Sequence, residues 1–152
     1  GFKYNMMDIQ AAIGLHQLAR VEANWSRRLE IWERYLAELA DLPLCLPAPF
    51  EPDTRHGLHL FTVLVDEKNA GITRDELLTR MTRANIGVGV HYMSAPEHPL
   101  YQERYGWSPD AWPNARDIGR TTLSLPLSAR LTDEDVGDVV AAVRRSLGGR
   151  RG

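Results

Sequence analysis

GFKYNMMDIQAAIGLHQL, residues 1–18, sets a short polar and aromatic opening directly against a helical pattern. Apolar residues recur at Ala11, Leu15, Leu18, Trp25, Leu29, Trp32, Leu36 and Leu39, in steps of three and four with one missed beat at Glu22, where Val21 can compensate. The spacing predicts one long helix with Asp8 as its N-cap, ending near Asp41 ahead of Pro43. An apolar stripe of that length needs a partner surface, in its own domain or in another chain. Just before it, Lys3, Tyr4 and Asn5 offer a cation, a phenol and an amide at a helix N-terminus, a chemistry suited to anions. Read from the residues alone, simple exposure at a chain end remains the stronger explanation of the three.

Beyond the helix, LPLCLPAPFEPDTRHG (residues 42–57) holds four prolines and no period, and reads as a loop. LHLFTVLV (Leu58 to Val65) reads as a strand and DEKNAG as a polar turn. ITRDELLTRMTRANIG carries a helix with Thr73 as N-cap, Glu76 completing a capping box, and Gly87 as a left-handed exit. VGVHY predicts a second strand ending at His91 and Tyr92. MSAPEHPLYQERYGWSPDAWPN, rich in proline, aromatics and ionisable groups, predicts a long loop of the functional or disordered kind. NARDIGRTT reads as a helix, LSLPL as a third strand, and LTDEDVGDVVAAVRRSL as a closing amphipathic helix capped by Thr132. The sum is an α+β fold: a long N-terminal helix, then a small sheet with helices packed on one face.

Composition narrows the function. The chain of 152 residues, 43% hydrophobic and 25% charged, has the make-up of one soluble domain with a real core. A net charge of −2 gives no reason to expect nucleic acid or an anionic membrane as partner. No apolar run approaches the roughly 18 residues of a membrane span. The lone Cys45 fits a reducing compartment, so a cytoplasmic location is expected. His56 and His59 would point to opposite faces of a strand, with no supporting cluster, so no metal site is expected. No nucleophile elbow, P-loop or dinucleotide fingerprint occurs. His91 and Tyr92, at a strand end followed by Glu97 and His98, are the second candidate group. Composition alone weighs a cleft there about equally with a solvated loop.

GFKYNMMDIQAAIGLHQLARVEANWSRR resembles the G-Y-[NK]-Y-[RN]-[ML]-x-[DE]-[IL]-x-A-A-[IL]-x-L-x-Q-L stretch of the DegT/DnrJ/StrS sugar aminotransferases, pyridoxal-phosphate enzymes of fold type I. The likeness continues through HGLHLFTVLVDE, ITRDELLTRMTRANIGVGVHY and SLPLSARLTDEDVGDVVAAVRR. KYN and IGVGVH are most similar to the branch of UDP-4-amino-4-deoxy-L-arabinose–oxoglutarate aminotransferases. Met7 stands where the family has Thr or Ser, and Leu58 where it often has Trp.

The resemblance implies a place well past the middle of such an enzyme, roughly its last two-fifths by domain size. Residues 1–42 would then be the large-domain end carrying the long helix, and 43–152 the C-terminal small α+β domain. Pyridoxal 5'-phosphate is the implied cofactor of the complete enzyme. The implied reaction moves an amino group from an amino acid, glutamate by expectation, to a keto-sugar nucleotide, within a homodimer that shares its active sites. Lys3, Tyr4 and Asn5 would contact the cofactor phosphate or substrate across the dimer, and His91, Tyr92 and His98 would face the sugar nucleotide. A transaminase needs a lysine that holds the cofactor as a Schiff base and shuttles a proton. Lys3 and Lys68 are the only lysines, and neither has the setting for that role. The chain by itself is therefore expected to be inactive. Two other readings remain open: a stand-alone module that binds a nucleotide sugar, and a subunit-interaction module built on the helix stripe.

Overall fold

The computed structural model describes residues 2–148. The core begins on α2 (Val21–Glu38), where Ile31, Trp32 and Tyr35 turn inward together with Leu39 just beyond its end. Against them lies a three-stranded antiparallel sheet in the order β1 (Leu44–Cys45), β2 (Phe61–Val65), β3 (Thr122–Leu125). Alternation on β2 sends Phe61, Val63 and Val65 into the core, the period of two expected of a strand. Phe61 meets Trp32 and Tyr35 edge-on, at ring separations of 4.8 and 5.1 Å. Tyr35 is fully buried, and its hydroxyl donates to the Pro126 carbonyl at 2.9 Å, so the phenol is not left unpaired.

Two helices close this face. On α7 (Asp133–Leu147), Val136, Val139, Val140 and Val143 repeat at three and four and are all buried. Leu77 and Met81 do the same on α4 (Arg74–Arg83), which packs against α7. The cap of α7 is the expected one: Thr132 Oγ1 accepts from the Asp135 amide at 3.1 Å, and Asp135 returns the bond to the Thr132 amide at 2.8 Å. Thr73 caps α4 as expected, accepting from the Glu76 amide, while the Glu76 carboxylate turns to Arg80 instead of completing the box.

Several elements differ from the sequence reading. The long helix is two, α1 (Asp8–Leu18) and α2, because the Arg20 amide bonds Gln17 in a tight turn and interrupts the ladder. Ala19 and Arg20 are good helix formers, so intrinsic propensity does not account for the break. Only the stripe of α2 reaches the core; α1 buries nothing. Met7 is the N-cap of α1, with its amide bonded to Gln10 Oε1 at 3.0 Å, and Asp8 is the first helical residue. The proline-rich stretch contains β1. Leu58 does not begin a strand: its φ of 49° removes it from extended geometry, its amide bonds His56 Nδ1, and its side chain is sealed in the core. Asp66 caps a single helical turn, α3 (Glu67–Ala70), where a polar turn was expected. Asn85, at φ 60°, takes the left-handed position after α4 that was expected of Gly87, a conformation Asn tolerates well.

The region from Met93 onward is ordered. A 3₁₀ turn (Ala95–Glu97) leads into α5 (Pro99–Tyr105), a second 3₁₀ turn (Pro109–Ala111) and α6 (Pro113–Thr121). Aromatic rings replace aliphatic packing there. Tyr101 stacks on Trp107 at 5.0 Å, Tyr105 lies beside both, and Trp112 meets Trp107 at 5.1 Å. VGVHY forms no full strand. Gly89 alone bridges β3 at Ser124, through reciprocal amide–carbonyl bonds of 3.2 and 2.8 Å.

Candidate functional site

β3 is buried on both sides, and that sets up the site. Leu123 and Leu125 belong to the core, while Thr122 and Ser124 occupy alternate positions on the opposite side. Ser124 Oγ lies 2.8 Å from His91 Nδ1. The His91 ring also rests on Gly89, where an added Cβ would sit 2.7 Å from Cε1, so any larger residue there would displace it. Tyr92 meets the His91 ring edge-on at 4.9 Å and is 74% exposed. The peptide between the two is cis.

The chain just beyond is tied down. Ser94 is buried and donates to Glu97 Oε2 at 2.7 Å, while Arg120 Nε donates to Glu97 Oε1 at 2.6 Å. The Ser94 hydroxyl first, and then Arg120, hold the Glu97 carboxyl below the usual carboxylate range. Gly119 lies under this turn; a Cβ there would come within 2.7 Å of the Ser94 amide nitrogen. His98 follows as the residue between the 3₁₀ turn and α5, exposed, with its ring 6.4 Å from Tyr101.

His91 and Tyr92 are thus in contact, His91 held by Ser124, and His98 stands outside that contact. Lys3, Tyr4 and Asn5 form a separate group on the segment ahead of α1, with Tyr4 87% exposed. Among the described residues no hydrogen bond, ion pair or ring contact joins this arm to His91, Tyr92 or His98. Ser94, Arg120 and Ser124 had no visible role in the sequence; only Glu97 had been noticed beside His98. The Arg120–Glu97 and Ser124–His91 contacts cross 23 and 33 residues of chain, which no local spacing reveals, whereas Ser94 stands only three residues before Glu97.

A separate concavity lies away from these residues. It measures about 590 Å³ and runs between the end of α4 and α7, past Asn85, Asp135, Asp138 and Arg145. None of the expected site residues lines it. Among the described residues no group of three or more His, Cys, Asp or Glu could hold a metal, and no helix is long and apolar enough to cross a membrane. For a pyridoxal cofactor the fit is partial at best. Lys68 lies exposed on α3 and Lys3 on the exposed arm, so neither provides an enclosed amine for covalent attachment.

Comparison with known proteins agrees with the architecture. The spore coat polysaccharide biosynthesis protein SpsC of Bacillus subtilis (strain 168) is 43% identical over 145 residues, which are 95% of this chain and 37% of SpsC. Helicobacter pylori PseC, an aminotransferase involved in the biosynthesis of pseudoaminic acid, superposes with a TM-score of 0.85 at 25% identity, over 99% of this chain and 40% of its own. Spr1654 of Streptococcus pneumoniae, solved in apo, pyridoxamine-phosphate and pyridoxal-phosphate forms, gives a TM-score of 0.84 at 26% identity, over 95% of this chain and 36% of its own. The chain therefore spans about two-fifths of the length of the relatives it matches. Its α+β fold is that of the carboxyl-terminal portion of fold type I pyridoxal-phosphate enzymes. With the sequence model of the family matching residues 1–144, the chain belongs to the DegT/DnrJ/EryC1/StrS aminotransferase family.

Proposed function

We propose that the chain is the small-domain part of a pyridoxal-phosphate-dependent aminotransferase acting on a keto-sugar nucleotide, with glutamate as amino donor. Residues 1–42 would join a large domain to the small domain of residues 43–152, with the inner face of α2 seated in the latter's core. The observation that carries this reading is the pairing of two kinds of surface. His91 is held from behind by Ser124 with the exposed Tyr92 against its ring, while Lys3, Tyr4 and Asn5 lie ahead of a helix that buries nothing. An arm of that kind has chemistry to offer only to something outside this domain.

In the complete enzyme, pyridoxal phosphate supplies the electron sink that makes amino transfer feasible. Lys3, Tyr4 and Asn5 would serve its phosphate or the substrate in a neighbouring subunit of a homodimer. His91 and Tyr92 would face the nucleotide sugar, with His98 at the margin. The names of SpsC and PseC, tied to polysaccharide and pseudoaminic acid biosynthesis, support a sugar substrate. The KYN and IGVGVH resemblance favours a UDP-linked keto-sugar. The lack of an enclosed lysine supports inactivity of the chain alone, and the ordinary charge and single thiol favour the cytoplasm.

A chimaera tests this: SpsC with its matching segment replaced by this chain, loaded with pyridoxal phosphate. Glutamate should convert the cofactor to its amine form, followed by absorbance. Lys3→Ala should weaken cofactor retention, and His91→Ala should raise KM for the sugar nucleotide at least tenfold, as loss of one good polar contact would. The isolated chain should show no turnover. Turnover by the isolated chain, or full sugar-nucleotide activity in the His91→Ala chimaera, would overturn the reading.

A further inference from the structure

The contact between Ser124 and His91 fixes more than distance. Ser124 is 4% exposed, and His91 Nδ1 is the hydrogen-bond partner of its hydroxyl among the described residues. A buried hydroxyl hydrogen needs an acceptor, and leaving it without one costs more than the bond is worth when made. If Nδ1 carried the ring proton, both groups would point a hydrogen at each other, or the serine hydrogen would turn to a buried space with no acceptor. If Nδ1 is bare, the serine donates and both groups are satisfied. The neutral ring then carries its proton on Nε2.

Where does Nε2 point? It bonds to no described protein group. It also has solvent access, because Arg28 Nε is the one buried side-chain polar atom without a partner among the described residues. Gly89 lies against the Nδ1–Cε1–Nε2 edge of the ring, where an added Cβ would come 2.7 Å from Cε1 and 3.4 Å from each nitrogen. The backbone bonds between Gly89 and Ser124 then lock the strand that bears the serine to the segment that bears the histidine.

We infer that Ser124 is a positioning residue that holds His91 as the Nε2–H tautomer, so that the exposed nitrogen donates to an acceptor oxygen of the bound ligand. The bearing on substrate rests on the proposal that His91 faces a nucleotide sugar. A diphosphate, a base carbonyl and a sugar hydroxyl all present such an oxygen, whereas a ligand offering only a donor would meet a hydrogen. Gly89 is part of the same device, since only a residue without a Cβ leaves room for the ring in the position that meets Ser124.

The test uses the ¹⁵N-labelled chain at a pH well above the ordinary imidazole pKa of about 6.5, with long-range ¹H–¹⁵N spectra of the histidine rings. His91 is identified by its loss in His91→Ala. The expected result is a single Nε2–H form, replaced by a mixture of tautomers in Ser124→Ala and recovered in Ser124→Thr. Gly89→Ala should also disturb the ring while leaving the serine intact, which keeps the test available if Ser124→Ala fails to fold. An Nδ1–H ring in the unaltered chain, or ring signals unmoved by both Ser124→Ala and Gly89→Ala, would overturn the positioning role whatever the ligand data show.

Titration of the SpsC chimaera with UDP and with uridine supplies the second arm. Ser124→Ala should weaken UDP binding about tenfold. An equal loss with uridine assigns the acceptor to the nucleoside, and a loss with UDP alone assigns it to the diphosphate. A well-ordered Nε2–H ring beside an SpsC chimaera that binds neither probe would sustain the role of Ser124 and overturn the nucleotide-sugar reading instead.

Discussion

Glu97 shows how one residue organises the surface next to His91. Its carboxylate accepts from Ser94 on one oxygen and from Arg120 on the other, and it is only 15% exposed while Arg120 is 60% exposed. Its pKa is depressed, so its contribution to stability is fully present above the unfolded-state value, about 4.3, and fades as pH falls through the lower folded-state value. Glu97→Gln should therefore lower Tm at pH 7 by a few degrees, and the gap to the unaltered chain should close as thermal melts are taken to pH 3. A constant gap across that range would mean that shape, not charge, ties the turn. Glu97 and His91 were both noticeable in the sequence as ionisable residues in an aromatic, proline-rich stretch. Their distant partners were not. Arg120 and Ser124 are ordinary polar residues until folding brings them in, whereas Ser94 is only three residues from Glu97, and Gly119 is silent until the Ser94 backbone is seen pressed against it.

At the scale of elements, end signals were the most readable feature. Thr132 and Thr73 cap α7 and α4 as their spacing predicts, because capping depends on residues three apart. Thr132→Ala should cost about 1 kcal/mol in denaturant unfolding with no change in m-value. Elements whose extent is set by distant partners read poorly. β1 is two residues long within a proline-rich stretch and exists only because β2 pairs with it. VGVHY, which has strand composition, shrinks to the single bridge at Gly89. The helical period of residues 8–39 was right, but its continuity was not. Because α1 buries nothing and has 11 residues, it lacks both tertiary support and the length of a helix stable in water. In the isolated chain its amides should exchange within the first minutes of a hydrogen-exchange experiment, while those of α2 and α7 stay protected. Protection of α1 equal to that of α2 would show that the chain has found a partner for it.

For the whole molecule, the uncovered surface is concentrated at one end of the chain. Phe2, Met6, Met7, Ile9, Ile13, Leu15 and Leu18 are all exposed, each by more than half. Beside them the unpartnered Arg28 Nε lies in a concavity lined by Gln17, Trp25 and Arg55. Apolar patches of this extent mark interfaces. The chain alone should elute in size-exclusion chromatography as an associated species, and the double variant Ile13→Glu/Leu18→Glu should move it toward the monomer without altering its melting cooperativity. A monodisperse monomer before substitution would contradict this. The apolar pattern of α1 was legible in the sequence, whereas the fact that its own domain leaves it uncovered was not. Fold class was legible for a different reason, because ordered motifs spread over nearly the whole chain carry the family resemblance even where single elements were misjudged.

The ring cluster of Tyr101, Tyr105, Trp107 and Trp112 bears on the order of assembly. Its members come from one short stretch, so their meeting requires closure of loops of roughly ten residues, an event of tens of nanoseconds. The His91–Ser124 contact, by contrast, spans 33 residues and waits for the sheet. Residues 99–113 should therefore behave as an early local nucleus. Stopped-flow refolding should show the change in tryptophan emission from this cluster ahead of the far-ultraviolet signal of the sheet. The surface around His91 would be completed only when the sheet has formed and this preformed block has packed on the Ala95–Glu97 turn and α6, which makes the proposed binding face among the last parts of the chain to mature.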